Sequence, residues 1–244
     1  MLKDERKFIS MKYFKSIEEF IKKISEECLV VIDIDNTISK PDKKYNYFGS
    51  DFWYEYQIEL INKNSGFFKN IEELNEKITD IISNLDMVYC EDNVDKVILN
   101  IHKEKEVILL TSRDTPTYTS TIRHIYPINK YLLIEEHIKK LECERIENKQ
   151  RPSLKNGIIF ANGHNKGNLL KSYINQSNKK FKKIVFIDDK ISNLINVKNK
   201  LGDKVICIHY TYEDKNKEIF EEKKENSEFK NILNNEYLKF INKI

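Results

Sequence analysis

Arginine is scarce in this chain. It occurs only at positions 6, 113, 123, 145 and 151, and nearly all the basic charge is lysine. Lysine and glutamate are interspersed almost throughout and the formal net charge is only +3, so nucleic acid is not an expected partner. An arginine beside a motif therefore stands out. Cysteine is also sparse: Cys28, Cys90, Cys143 and Cys207 show no CxxC spacing of a metal site. Cys28 and Cys207 lie on or beside apolar runs, and all four read as reduced thiols of a cytosolic or cytosol-like compartment. The opening segment MLKDERKFISMKYF has no apolar core of a signal peptide, and no run is long enough for a transmembrane segment. A cytoplasmic location is expected, with any secretion using a route without a cleaved signal peptide. No internal repeat is visible.

What is present is enough sequence, 244 residues, for one large α/β domain or a domain with a sizeable insertion. Ser16-Ile17-Glu18-Glu19 has the form of a capping box, with Ile17, Phe20, Ile21 and Ile24 marking a helical stripe. Five short apolar runs follow, at 29–32, 107–110, 157–161, 184–187 and 205–208. Continuous apolarity, without alternation, is what parallel strands covered on both faces require. Helical segments are expected between them, near 91–103, 116–125, 166–175 and 190–200. The alternation predicts an α/β fold, a Rossmann-like doubly wound parallel sheet.

Residues 39–90 are too many for a simple crossover. They hold the aromatic segment KKYNYFGSDFWYEYQIELINKN and a helix expected near 70–87, and read as a mainly helical cap inserted after the first strand. The predicted division is 1–38 with 91–244 as core and 39–90 as cap. Residues 126–156 form a second, polar excursion. The tail from about 215 is expected to be helical, with Phe229, Ile232, Leu233, Tyr237, Phe240, Ile241 and Ile244 on one stripe.

Ligands of open α/β sheets bind beyond the carboxyl ends of the strands. The first run ends in Asp33-Ile34-Asp35-Asn36-Thr37 and the second in Thr111-Ser112-Arg113. The third leads through Asn162-Gly163-His164-Asn165 to Lys166 at a helix start, and the fourth ends in Asp188-Asp189. Four carboxylates, a hydroxyl and an ammonium would meet in one crevice. Phosphoryl transfer asks for such a set: a nucleophile, which an aspartate can be, and positive charge for the phosphoryl oxygens. The carboxylates would not all stay ionised together without a cation, and Mg²⁺ takes hard oxygen ligands of this kind.

The ordered set DIDNT, LTSR, NKG and FIDD resembles the haloacid dehalogenase (HAD) superfamily of Mg²⁺-dependent phosphohydrolases, over Asp33 to Asp189. The first motif has the second Asp that phosphatases share and dehalogenases lack. GSDFW at 49–53 is similar to a little-characterised bacterial branch with a GSDxW segment, which includes secreted effector relatives. The resemblance implies Asp33 as nucleophile and Mg²⁺ ligand, and Asp35 as general acid then base, with its backbone carbonyl on Mg²⁺. It implies Thr111 and Lys166 on the phosphoryl oxygens, and Asp188 and Asp189 as further metal ligands. The bare Asp-Asp of the fourth motif departs from the commoner GDxxxD. Ser112 and Arg113 are expected at the substrate pocket, Arg113 otherwise pairing with Asp114.

Plainer readings exist for each feature. An isolated Asp-x-Asp often caps a helix or starts a turn. A calcium loop is excluded, because Ile38 stands where its glycine belongs and Lys44 where its bidentate glutamate belongs. Lys166 alone would be a surface lysine and Thr111 a helix cap. His164 reads as a loop residue and His209 as a strand-end structural one. Tyr45, Tyr47, Phe48, Phe52, Trp53, Tyr54 and Tyr56 either pack the cap onto the core or form a stacking wall for an aromatic leaving group. On the second reading Trp53 touches substrate.

The leading expectation is a phosphomonoesterase forming an aspartyl-phosphate. Its substrate is a phosphorylated small molecule or a phosphoprotein, such as a nucleotide or phosphotyrosine. The alternatives are a non-catalytic binding module and a phosphoryl-accepting signalling domain. Receiver domains, however, carry their acidic pair on the first strand, whereas Asp188-Asp189 comes last here.

Overall fold

The central strand is apolar throughout because both its faces are covered. Val30 and Ile32 face one buried cluster with Phe14, Ile17, Ile98 and Ile101. Leu29 and Val31 face the other, with Leu169, Leu170, Leu194 and Val197. The computed structural model describes residues 8–25, 27–134, 138, 140–146 and 149–242. Chain order is β1 (Ile9–Met11), α1 (Phe14–Lys22), β2 (Cys28–Ile32), β3 (Ser39–Pro41), α2 (Asp51–Asn62), α3 (Ile71–Asn84), β4 (Met87–Tyr89), α4 (Val94–Glu104) and β5 (Glu106–Thr111). Then come α5 (Tyr118–His124), β6 (Ser153–Lys155), β7 (Ile158–Phe160), α6 (Lys166–Gln176), β8 (Lys183–Asp188), α7 (Ile191–Leu201), β9 (Val205–Tyr210), α8 (Asp214–Lys223) and α9 (Ser227–Ile241).

The described residues form a seven-stranded sheet in the order β1-β9-β8-β2-β5-β7-β6. Only β6 runs antiparallel to its neighbour. All five apolar runs are strands of it. The two edge strands, β1 and β6, were not expected; each has three residues, too few to show a period. Helices on both faces make this a doubly wound α/β sheet. Among the described residues no helix is long and apolar enough to cross a membrane.

The expected capping box is not used. Helix α1 begins at Phe14, two residues before Ser16, and the backbone N–H of Phe14 donates to Glu91 Oε1 at 2.6 Å. Phe14 is fully buried, its ring 5.0 Å from that of Tyr210. Core packing and a distant carboxylate outweigh the local signal, and Glu18 pairs instead with Lys15 (3.0 Å) and Lys22 (2.8 Å).

Between β2 and α4 the chain forms the antiparallel ribbon β3–β4 and the helices α2 and α3. These helices share a third apolar cluster with the tail. Phe48, Phe52, Trp53, Tyr56, Leu74, Ile81 and Leu85 pack with Phe220, Leu233 and Tyr237, flanked by Phe229 and Phe240. The tail stripe is therefore narrower than expected: Ile232 and Ile241 are exposed, and Ile244 lies outside the described residues. Within the excursion 126–156, residues 135–137, 139, 147 and 148 also lie outside them. Ile138 and Leu141 are buried against the sheet.

Candidate active site

Because β2 lies between β8 and β5, the acidic ends of β2 and β8 stand side by side, with Thr111-Ser112-Arg113 at the end of β5 on the other flank. The backbone N–H of Asp33 donates to the Ile187 carbonyl at 2.9 Å, placing the turn after β2 against the end of β8. Carboxylate oxygens of Asp33, Asp188 and Asp189 lie within 4.8 Å of one another. Lys166 is the first residue of α6, whose N-cap Asn165 accepts from the N–H of Asn168 at 3.0 Å. Gly167 lets that helix approach α7, since a Cβ there would stand 2.4 Å from the Asn196 carbonyl oxygen. The Lys166 ammonium thus reaches Asp33 Oδ1 at 2.6 Å and Asp188 Oδ2 at 2.8 Å. Asp33, Asp188 and Lys166 are all buried.

The electrostatics are those of a cation site. Burial, with the charge of Asp188 and Asp35 added, pushes the Asp33 carboxyl up to about 8 against the opposing pull of Lys166. Burial and the adjacent Asp188 push Asp189 up as well. Burial lowers Lys166, but Asp188 and Asp33 outweigh it and hold the ammonium well above its ordinary value. With all three carboxylates ionised, the one ammonium would leave an excess of two negative charges, which adds to burial in pushing Asp33 and Asp189 up. Asp188 is oriented by the backbone N–H of Lys190 (2.8 Å) and the Asn193 amide (3.0 Å to each oxygen). Asp189 Oδ1, by contrast, is buried without a hydrogen-bond partner. An unpartnered buried carboxylate oxygen beside two others fits a small divalent cation with hard oxygen ligands, as Mg²⁺ is. Asp33, Asp188 and Asp189 are the side chains that would hold it.

Asp35 is not one of this cluster and lines a cleft beside it. Arg113 forks its carboxylate, Nη2 to Oδ1 at 2.7 Å and Nε to the two oxygens at 3.1 and 3.0 Å. Thr111 Oγ1 donates to Oδ2 at 3.3 Å and accepts from the Arg113 N–H at 3.1 Å. Burial raises the Asp35 carboxyl, but the Arg113 charge and hydrogen bonds prevail and hold it below the usual carboxylate range. Arg113 also borders the cleft. Its partner is Asp35 and not Asp114, however, because the guanidinium turns back across the ends of the strands. On its far side Nη1 donates to Thr121 Oγ1 at 3.0 Å and lies 3.2 Å from His124 Nδ1. An arginine can only donate, so Nδ1 is the acceptor. Burial, Arg113 and Arg123 together push the His124 imidazole down to about 3, so the ring is neutral.

The cleft has a volume of about 850 Å³. Asp35, Ser112 and Arg113, beyond the ends of β2 and β5, line it together with Tyr54, Ile71 and Ile78 of α2 and α3. The GSDFW segment has a local physical role in building that wall. Gly49 takes φ +75°, and a Cβ there would meet Leu85 at 2.3 Å. Ser50 caps α2 by accepting from the Trp53 N–H at 3.2 Å. Asp51 and Glu55 bind the Lys190 ammonium at 2.8 and 3.0 Å, tying α2 to the loop after β8.

Trp53 does not line the cleft. It is buried between Phe48, Phe68 and Tyr237, because its helix position points it to the tail helices; its neighbour Tyr54 is the aromatic residue on the cleft. His164 bonds within its own loop, Nδ1 lying 2.9 Å from the Ala161 carbonyl oxygen. His209 Nε2 lies 3.0 Å from the Asp189 carbonyl oxygen, bracing the acidic turn. Asn193 and Lys190 were missed by sequence reasoning. Their only signal is their place, Lys190 directly after Asp188-Asp189 and Asn193 about one helical turn beyond.

A family model described as "Protein of unknown function (DUF2608)" matches residues 10–239. No curated protein matches the sequence. Among solved structures, a putative haloacid dehalogenase-like hydrolase from Burkholderia xenovorans is similar at 11% identity and TM-score 0.47, over 80% of this chain and 88% of that one. A putative beta-phosphoglucomutase from Thermotoga maritima is similar at 11% and 0.45, over 80% and 98%. The HAD domain of the effector Lem4 from Legionella pneumophila is similar at 11% and 0.42, over 80% and 94%. At these values the likenesses carry no chemistry to this chain.

Proposed function

This chain belongs to the DUF2608 family of proteins of unknown function, and for it we propose a Mg²⁺-dependent phosphomonoester hydrolase of the HAD type. The single observation that carries this reading is the meeting of Asp33, Asp188, Asp189 and Lys166, which come from three widely separated segments of chain. Their order along the sequence, with Thr111 on the intervening strand, matches the four motifs of the HAD resemblance.

Asp33 is the nucleophile: a carboxylate oxygen attacks phosphorus, and the ester oxygen leaves with a proton from Asp35. Asp35 then takes a proton from the water that opens the aspartyl-phosphate. Beside Arg113 the Asp35 carboxylate is in the form needed for that second step. A substrate entering as its monoanion brings the proton for the first. Thr111 and Lys166 hold the phosphoryl oxygens, and Ser112 borders the phosphoryl end of the cleft. Mg²⁺, when bound, supplies positive charge that neutralises the phosphoryl oxygens.

The division 1–38 and 91–244 as core with 39–90 as cap is part of this proposal, the cap shielding the reaction from bulk water. Tyr54 and Pro116 across the cleft favour an aryl leaving group, as in phosphotyrosine or an aryl phosphate metabolite. The test is hydrolysis of a panel of sugar phosphates, nucleotides and phosphopeptides with and without Mg²⁺, beside Asp33→Asn. Metal-dependent release of phosphate that Asp33→Asn abolishes is expected. A flat response to every substrate would favour a binding module.

A further inference from the structure

The four motifs do not require the helix after β5, yet it holds one of the best-connected side chains in the molecule. Arg113 is 5% exposed, and all three guanidinium nitrogens are engaged. Two face Asp35; the third faces Thr121 Oγ1 and His124 Nδ1. Thr121 and His124 are three residues apart on α5 and so share one face of it. The same helix is docked on the end of α3. Arg123 Nη2 donates to the Ser83 carbonyl at 2.9 Å, and Ser83 Oγ lies 3.4 Å from Ser120 Oγ. His124 hydrogen-bonds the Leu85 backbone.

We propose that Arg113 is a positioning residue for Asp35, and that α5 carries the placement of the cap helix α3 to that carboxylate. This rests on the phosphohydrolase reading above. Asp35 stands on a turn that lines the cleft, with a fifth of its side chain exposed. Without the fork its oxygens would rotate between the leaving-group side and solvent. The planar guanidinium fixes both oxygens at once, while its far edge is fixed by two acceptors spaced one helical turn apart. A lysine ammonium has the charge but not this two-sided geometry. Displacement of α3 moves Ser83 and Leu85, hence α5, hence the edge against which Arg113 is braced. Asp35 is thus set for proton transfer when the cap is seated.

The test uses leaving-group dependence. Full-length Arg113→Met and Arg113→Lys, together with the remote Arg123→Ala, are assayed on phosphate esters from 4-nitrophenyl to simple alkyl, with thermal unfolding as a folding control. Loss of a placed proton donor hurts esters whose leaving group needs a proton and spares those that do not. Arg113→Met should lower kcat about 100-fold for alkyl esters and less than about 10-fold for 4-nitrophenyl phosphate, with KM little changed. Arg113→Lys should recover little of this. Arg123→Ala should shift the dependence the same way but less, and add nothing in the Arg113→Met background. Equal losses across all esters, a change confined to KM, or full rescue by lysine would overturn the proposal. If Arg113→Met does not fold, Arg113→Lys and Arg123→Ala still decide it. An active Asp33→Asn variant would remove the underlying reading. An inactive one beside an Arg113→Met of unchanged leaving-group dependence would reject this inference alone.

Discussion

The Lys166 ammonium lies 2.6 Å from Asp33 Oδ1, in a place almost closed to solvent, and also touches Asp188. Removing one partner of a buried ion pair strands the other charge. Lys166→Met is expected to destabilise the metal-free protein by about 3–5 kcal/mol near neutral pH. Turnover in the proposed phosphatase reaction should fall by about 10²–10³. Denaturant titration and steady-state assays measure both, and an unchanged unfolding midpoint would place the lysine outside the buried network.

Asp189 gives a prediction of opposite sign for stability and binding. Its Oδ1 is buried and unpartnered beside two other carboxylates. Asp189→Asn should raise the thermal midpoint in EDTA, because the folded state no longer holds a buried carboxyl against ionisation, and weaken Mg²⁺ by at least ~10-fold in calorimetric titration. Equal Mg²⁺ affinity in the variant would remove Asp189 from the ligand set.

The pH dependence of stability follows from Asp33 and Asp189, both pushed up by burial, Asp33 to about 8. In metal-free protein these groups keep protons that the unfolded chain releases near pH ~4. The folded state then binds more protons, so stability falls as pH rises from about 4 to about 8. A divalent cation removes that loss. The difference in midpoint with and without Mg²⁺ should therefore widen from about pH 5 to about pH 8; a constant difference would contradict the assignment of these shifts to the cation site.

Trp53 separates packing from substrate contact. It is 1% exposed in the cluster that joins α2 and α3 to the tail helices. Trp53→Ala should cost about 3–5 kcal/mol in unfolding free energy. Below the shifted transition, KM for aryl phosphates should be nearly unchanged. A raised KM in a stable protein would return the residue to the pocket wall.

Part of this architecture was legible in the chain. Five apolar runs and the polar residues that end four of them were readable, because a strand buried on both faces leaves no polar position until it stops. Asp33, Thr111 and Asp188 stand at such stops. The start of α1 was not readable, since Glu91 caps it from 77 residues away. Nor was the role of the tail, whose partners Phe48, Trp53 and Tyr56 lie far off in sequence. Arg113 stood out by its rarity, yet its pairing with Asp35 depends on how two strand ends meet in space. Local patterns report periodicity and punctuation; contacts across the fold leave no such trace.

The most direct measurement is acid quenching of the wild-type protein during turnover of an aryl phosphate with Mg²⁺, followed by peptide mass analysis. One phosphoryl group on the peptide carrying Asp33, labile to hydroxylamine and absent from Asp33→Asn, is the expected result. Steady turnover with no phosphoryl group on that peptide, or with one on a different residue, would contradict the account.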